Sequence, residues 1–359
     1  MAKNFFKRQW LGFRRSVNDN TAEINDDIES GGWLAKLIIY FLLFCFLFVV
    51  GVGMYWSSEP DPFDVRVVAE EYATENGHQV VIGTTTTATM IVTTRYLLDK
   101  PGGFLSNDVM PPGLWLDNMP SWEYGALIQI RDLSKAMRER FSRSQSQSIE
   151  DEDLALAENR FNVDNSAWLF PRPEAEYAEA AEYLENYLRR LGDADQTNAQ
   201  FFSRADNLRY WLSNVETRLG SLSQRLSASV GQRRLNLDIS SGSSGEISSI
   251  SAPRDELVQT PWMDIDNVFY EARGSAWALA QFLRAVEVDF ADVLEDKNAL
   301  VSLQQIIREL EATQVTIWSP MILNGDGFGF LANHSLVLAS YISRANAGII
   351  DLRELLSQG

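Results

Sequence analysis

Two carboxylates in the first half of the chain, Asp117 and Glu123, have the chemistry that glycan-cleaving enzymes use for acid and base catalysis. Glu123 lies between Trp122 and Tyr124, and an aromatic environment can raise the pKa of a carboxyl group into the range of a general acid. Alternatively, Glu123 interacts with the dipole of a predicted helix near its N-terminus. We favour this structural interpretation, since such carboxylates are only statistical markers of active sites. Glu123 remains the candidate catalytic residue.

A glycine-rich loop and a neighbouring His-Ser pair also contain residues of chemical interest. In the loop Asn324–Gly329, an EF-hand pattern would need an acid or amide at the fifth position, where Phe328 stands instead. His334 and Ser335 are adjacent, so on a helix they point in different directions, and no Gly-x-Ser-x-Gly elbow exists. The sequence therefore predicts a tight turn leading into a helix, with His334 capping or packing near its start.

Composition excludes several classes of site. The chain has two histidines and one cysteine, so it cannot build a three-His or a two-His, two-Cys zinc site, or a disulfide framework. Walker and dinucleotide-binding patterns are absent. We predict no cofactor and no metal. The net charge is −18, so we also predict no nucleic-acid partner, because phosphate binding needs a basic surface.

The strongest pattern is an uncharged apolar run from Leu37 to Trp56. Twenty residues at ~1.5 Å each span roughly 30 Å, the thickness of a hydrocarbon core. A buried core helix rarely lacks a polar face over this length, and a signal peptide has a shorter apolar region. The run therefore predicts one transmembrane helix, with the lipid bilayer as its partner.

Basic residues predict the orientation of this helix. Six of them precede the span, whereas Arg66 is the only one in the twenty residues that follow. The positive-inside rule puts residues 1–36 in the cytoplasm. They form a short arm that either lies on an anionic leaflet or is a loosely structured tail. The C-terminal part is then outside, in the periplasm of a Gram-negative cell.

The ectodomain is predicted to be all-α, which makes the fold class mostly α. Residues 57–239 form its first half and residues 261–359 its second half. Between them, the Ser/Gly-rich segment 240–260 is predicted to be a flexible linker. Residues 37–359 carry 25 of the 31 basic and 44 of the 49 acidic side chains, an excess that keeps a domain soluble.

Two heptad seams occupy residues 174–230. The first runs from Tyr177 to Leu191 and the second from Phe201 to Leu226, both with alternating spacings of four and three. A turn follows Leu191, so the simplest arrangement is an antiparallel, coiled-coil-like helical hairpin in which each seam covers the other.

Two parts of the ectodomain form the candidate interaction surface. The Pro/Gly-rich loop Pro101–Pro120 contains too many apolar residues to be disordered, so it packs on its own domain or on a partner. The second helix of the predicted hairpin is longer than the first, which would leave its last apolar positions uncovered. The candidate surface consists of Leu114, Trp115, Leu116, Leu222 and Leu226.

Three blocks of sequence are long and specific. They are DKPGGFLSNDVMPPGLWLDNMPSWEYG (Asp99–Gly125), FYEARGSAWAL (Phe269–Leu279) and NGDGFGFLANHSLVLASYISRANAG (Asn324–Gly348). With these blocks the chain resembles a family of proteobacterial single-span inner-membrane proteins known only as a domain of unknown function. The resemblance implies a Gram-negative inner-membrane location and a helical ectodomain. The family has no established activity, so no site residues carry over.

Two functions are compatible with these patterns. The first, which we favour, is a non-enzymatic interaction or scaffold module, anchored in the inner membrane and bound to another envelope protein. The second is an envelope glycan hydrolase with Glu123 as general acid, whose carboxyl group would have to line an open groove.

Overall fold

The computed structural model describes residues 33–144, 149–193, 198–236, 254–319, 321–325 and 330–358. These residues are predominantly helical, as the sequence predicts, and the chain divides into two compact units, Met1–Tyr55 and Trp56–Gly359. The helices are α1 (Trp33–Trp56), α2 (Val65–Glu75), α3 (Thr84–Asp99), α4 (Asn118–Ala136), α5 (Glu152–Phe161), α6 (Pro173–Leu191), α7 (Ala205–Ser227), α8 (Ile265–Asp289), α9 (Ala291–Asp296), α10 (Leu300–Ala312) and α11 (His334–Ser357). A five-residue π-helical turn, Met137–Phe141, continues α4.

The helix α1 confirms the predicted apolar segment. Its 24 residues correspond to about 36 Å at 1.5 Å per residue. The part from Lys36 to Trp56 is long and apolar enough to cross a membrane, and nearly all of it is exposed in the structure. A helix that is apolar all round and uncovered by protein needs an apolar solvent. Its insertion into a bilayer and its orientation remain predictions.

The second unit is a helical bundle whose connections lie at two ends. The chain enters at one end, where the ring of Trp56 lies against Gly102, just after α3. We call this the entry end, and α6, α8 and α11 also begin there. The far end lies at the opposite limit of the bundle, where the start of α3 contacts the end of α8 and Phe141 contacts Phe290.

The centre of the bundle is the contact between α4 and α8, which run in the same direction. The two backbones touch at glycines: a β-carbon on Gly125 would lie 2.0 Å from the carbonyl oxygen of Glu271, and one on Gly274 would lie 1.9 Å from that of Trp122. Beside this point the fully buried Trp122 and Trp277 rings are 5.1 Å apart. Only residues without a side chain allow this approach.

The threonine-rich segment before Lys100 forms the helix α3, although β-branched residues favour strands. The hydroxyl groups of the buried Thr87 and Thr94 donate hydrogen bonds to the carbonyls of Gly83 and Met90, one turn earlier in the helix. At the N-terminus, Asp289 from α8 accepts hydrogen bonds from the backbone and the hydroxyl of Thr86, at 2.6 and 2.7 Å. A carboxylate at this position satisfies exposed N–H groups and complements the helix dipole.

The predicted hairpin over 174–230 is wrong in its pairing. Both helices form with the predicted apolar faces, but α6 packs on α5 and α3, whereas α7 packs along α11. The pair α7 and α11 is antiparallel, as the ion pair Glu216–Arg353 and the contact between Gly220 and Asn346 show. With 24 residues, α11 offers α7, with 23, a partner of similar length, whereas α6 has only 19.

The segment between the two predicted halves adds one short strand pair to the helical fold. Residues 237–253, which include positions 240–253 of the predicted linker, lie outside the described residues. Two short strands, β1 (Gln232–Asn236) and β2 (Arg254–Val258), pair antiparallel on either side of them. Beyond β2, the N–H of Thr260 donates to the carbonyl of Ala228 at 3.1 Å. The chain thus returns to the end of α7 before it enters α8.

The glycine contact yields a stability prediction. Gly125→Ala and Gly274→Ala should each destabilise the bundle by at least about 1–3 kcal/mol, because the added methyl group collides with backbone that cannot move without separating α4 from α8. Thermal unfolding of the full chain in detergent, followed by near-UV circular dichroism, measures the effect.

Gly220 in α7 is the matched control. A β-carbon there would meet only the side-chain amide of Asn346, at 3.6 Å. Gly220→Ala should therefore leave the melting temperature unchanged or raise it, as a helical Gly-to-Ala exchange normally does. Equal effects at Gly125, Gly274 and Gly220 would contradict the close approach.

Candidate functional site

The structure places Glu123 in a buried ion pair. Its side chain and that of Lys100 are both fully inaccessible, and the Lys100 ammonium lies 2.5 Å from the carboxylate. The backbone N–H groups of Leu105 and Ser106 donate to the two carboxylate oxygens at 2.8 Å, and the Ser106 hydroxyl adds a third donor. Every donor comes from the segment that follows α3, so the pair ties this segment to the second turn of α4.

This geometry gives the hydrolase hypothesis no support. Burial raises the pKa of the Glu123 carboxyl, while Lys100, Ser106 and the N–H of Leu105 act against the rise. A raised pKa suits a general acid, but a general acid must also reach the bond that it protonates. Glu123 has no exposed surface and lines no open groove. The other carboxylate, Asp117, lies near Asp266 of α8 and contributes to the raised pKa of that residue.

His334 has a structural contact at the start of α11. Its Nδ1 accepts a hydrogen bond from the N–H of Leu323 at 3.0 Å, and its ring lies beside Phe269. The preceding residue, Asn333, caps the helix by accepting from the N–H of Leu336 at 2.9 Å. The glycine-rich turn, residues 326–329, lies outside the described residues. Within the described part of the chain, no three His, Cys, Asp or Glu side chains converge as metal ligands would.

The five predicted interaction residues separate into two groups. Leu114 and Trp115, in a short 3₁₀ turn at the entry end, are exposed, and Leu116 is half-buried against the core. Leu222 and Leu226 were expected to be exposed, and this is wrong, because they are only 5% and 1% accessible. Both lie where α7 packs on α11 and α8, which cover the turns that a shorter hairpin partner would have left open.

The structure adds exposed apolar residues that the sequence analysis missed. The Asn107 side chain donates to the carbonyl of Ala167 at 3.2 Å, which joins the loop of Trp115 to the connection between α5 and α6. That connection exposes Trp168, Leu169 and Phe170. The sequence does contain a signal for this exposure. Trp168 and Phe170 stand just before Pro171, and the residue before a proline disfavours a helix, so these aromatic residues belong to a connection.

A second buried ionic contact fastens the chain where it enters the bundle. Arg273 of α8 is 5% exposed and forms a bidentate pair with Glu59, with Nε at 2.9 Å and Nη2 at 2.6 Å from the carboxylate oxygens. Its remaining nitrogen donates to the carbonyls of Thr313 and Val315 after α10. One guanidinium therefore joins the segment before α2 to the end of α10. We refer to the Arg273–Glu59 contact as the clamp.

The cleft with the largest volume among those compared, about 660 Å³, lies between the start of α2 and the adjacent faces of α8 and α10. Three arginines line it, although acidic residues predominate in the unit. Arg284 is paired with Glu311 at 2.6 Å. The described contacts give no acidic partner to Arg66 or Arg308, and both side chains are exposed. The cleft is also lined by Asp64, Glu287 and Glu311, so arginines and carboxylates are equal in number there, and Arg66 and Arg308 are the two arginines without a described acidic partner.

With the fold and these contacts described, comparison with known proteins gives one match. A family model described as an uncharacterized protein conserved in bacteria (DUF2333) covers residues 28–359. The chain belongs to this family. Neither the curated proteins nor the solved structures contain a match to the chain.

The Lys100–Glu123 pair gives a prediction that separates a structural from a catalytic role. Lys100→Met leaves a buried carboxylate without its cation and should cost about 3–5 kcal/mol of unfolding free energy. Glu123→Gln should also destabilise the bundle, because it leaves the Lys100 charge unpaired. The double variant should lose clearly less than the sum, since a glutamine oxygen still accepts one of the two N–H bonds and no charge remains. Denaturant unfolding of the four proteins measures this coupling, and strictly additive losses would contradict the pair.

Proposed function

We propose that the protein is a non-enzymatic interaction module of the cell envelope. In this proposal α1 spans the inner membrane of a Gram-negative bacterium once. Residues 1–36 lie in the cytoplasm, and the helical bundle lies in the periplasm. The bundle binds another envelope protein and holds it close to the membrane.

The charges that flank α1 support this orientation. Six basic residues precede the span and only Arg66 follows within twenty residues, a difference of the kind that orients single-span proteins. The acidic excess of the remaining chain has the sign expected on the translocated side, although acidic residues contribute little to orientation.

The observation that carries the proposal is the clamp. Glu59 is three residues beyond the end of α1, and its carboxylate is held in two hydrogen bonds by a nearly buried arginine of the central helix α8. A flexible tether would allow the bundle to range away from the membrane, as an enzyme acting on an extended polymer requires. Attachment over a few residues instead keeps the bundle at the end of the span, which suits a scaffold.

The cleft is the surface that we assign to the protein partner. Of its acidic side chains, Glu311 pairs with Arg284, whereas Asp64 caps α2 and Glu287 accepts from Gln304, so these two have no cationic partner among the described contacts. The exposed guanidinium groups of Arg66 and Arg308 remain for a partner. Charge complementarity favours an acidic segment of another envelope protein.

Topology is tested first. A reporter that is active only outside the cytoplasm, fused after Gly359, should be active, and the same reporter inserted before α1 should be inactive. The matched control exchanges the charges around α1, with the five basic residues up to Arg15 replaced by Gln and Lys inserted after Trp56. This exchange should lower the activity of the C-terminal fusion. An active N-terminal reporter in the unmodified chain would overturn the proposed orientation.

Partner binding is tested by site-specific crosslinking in cells. A photoreactive residue at Arg66 should give a discrete adduct with an envelope protein, and the same residue at the exposed Glu182 of α6 should not. Arg308→Glu should abolish the adduct at Arg66, because a reversed charge repels an acidic segment. Recovery of the protein without an adduct under all growth conditions would count against the module function. An adduct unaffected by Arg308→Glu would count against the cleft.

A further inference from the structure

Large exposed apolar side chains are concentrated at the entry end. They belong to four connections, those before α4, between α5 and α6, before α8, and between α10 and α11. We call them the aromatic rim, which consists of Met110, Leu114, Trp115, Trp168, Leu169, Phe170, Trp262, Met263, Trp318, Met321, Phe330 and Leu331. The most accessible tryptophans are Trp318, at 94%, and Trp262, at 82%.

The two ends of the bundle differ in the type of apolar side chain that they expose. Among the described residues of the far end, the large apolar side chains that are exposed are aliphatic: Val80, Val81, Ile82, Ile149 and Val301. In the second unit Trp122, Trp211 and Trp277 are buried, and the four exposed tryptophans all belong to the rim. A soluble protein exposes single apolar residues at random positions, whereas a concentration of this size indicates a surface that is normally covered.

Two of the four connections of the rim lie close to the place where the chain enters the bundle. Trp56 lies against Gly102, which precedes the loop of Trp115. The clamp then connects Glu59 to the carbonyl of Val315, three residues before Trp318. The rim is therefore attached, through a few residues of extended chain, to the end of a helix suited to crossing a bilayer.

We propose that the aromatic rim is seated in the headgroup layer of the bilayer that α1 spans. This inference rests on the proposed membrane insertion. Tryptophan is enriched at this depth, because its ring is apolar and its N–H still finds a polar partner. Leucine, methionine and phenylalanine extend below it into the acyl region, as in interfacial protein segments.

The charges near the rim indicate how it is held. Asp108 lies in the first of the four connections, and Asp264 and Asp266 flank the third, whereas the second has the exposed Arg172. The described side chains of the entry end therefore do not form the basic cluster that anionic lipids attract. Attachment is therefore by insertion of apolar side chains, and zwitterionic lipid is the matching surface. We commit to the bilayer as the occupant, because the chain that enters the bundle at this end continues directly from α1.

The depth of individual residues in lipid tests the proposal in the full chain. Cys45 is the only cysteine, so Cys45→Ser gives a background for single spin labels at Trp115→Cys, Phe170→Cys or Trp318→Cys. Each replaces one exposed side chain and leaves the rest of the rim intact. The proteins are reconstituted in phosphatidylcholine and phosphatidylethanolamine vesicles. Collisions of the label with oxygen, which dissolves in lipid, and with a water-soluble nickel chelate report its depth.

Labels on the rim should collide more with oxygen and several-fold less with the nickel chelate than a label at Val301→Cys, an equally exposed apolar position at the far end. A label at Phe44→Cys in α1 reports on the span itself. If Phe44 is in lipid and the rim positions match Val301, the rim proposal fails and the membrane anchor stands. If Phe44 is accessible to nickel, the anchor fails as well. Rim labels shielded from both reagents would show a protein contact and would also overturn the proposal.

Discussion

The bundle depends on the contact of two backbones at Gly125 and Gly274. Because no side chain separates them there, α4 and α8 pack at a distance that no larger residue allows, and the rings of Trp122 and Trp277 fill the space beside the contact. The remaining helices pack around this pair. It also joins the two halves of the chain, since α4 precedes the Ser/Gly-rich segment and α8 follows it. The halves therefore share one hydrophobic core.

Three buried charges hold the connections of this core in place. Glu123 holds the loop after α3, Arg273 holds the segment after α1, and Asp289 caps α3 from the end of α8. Burial raises the pKa of both Glu123 and Asp289, which reflects the free energy of removing a charge from water. Removing one partner of a buried ion pair lowers the free energy of unfolding strongly, because it leaves the other charge unpaired. Replacing both partners by well-packed apolar residues often leaves a protein equally stable. We therefore interpret these contacts as determinants of position, which fix loops that a purely apolar core would leave free.

Much of this architecture follows from sequence periodicity. The apolar helix, the helical second unit and the two seam helices α6 and α7 were predictable, because each shows a continuous apolar face or run. Pairing was less predictable. The seam of α7 is read correctly as buried, but a heptad pattern shows only that a face is covered and not which helix covers it. The partner α11 begins 129 residues after the start of α7, and nothing in the pattern of α7 points to it. The same error made Leu222 and Leu226 appear exposed.

Individual site residues were the least predictable. The aromatic neighbours of Glu123 suggested a raised pKa, and its direction is as expected, but only the fold places Lys100 beside it. Arg273 lies in a quoted sequence block, yet its partner Glu59 is more than 200 residues away in the chain. The rim consists of short connections that are far apart in sequence. Each contributes one or two aromatic residues, so only the fold shows that they lie at one end.

The central contact also constrains the order in which the molecule can assemble. The α4 and α8 glycines are 149 positions apart in the chain, and contacts between distant residues form slowly because a long loop must first be closed. During synthesis, the part of α4 that packs on α8 has no partner until α8 has been made. The first half of the bundle must therefore wait in a partly folded state, and its exposed surface is a natural target for chaperones while the rest of the chain is delivered.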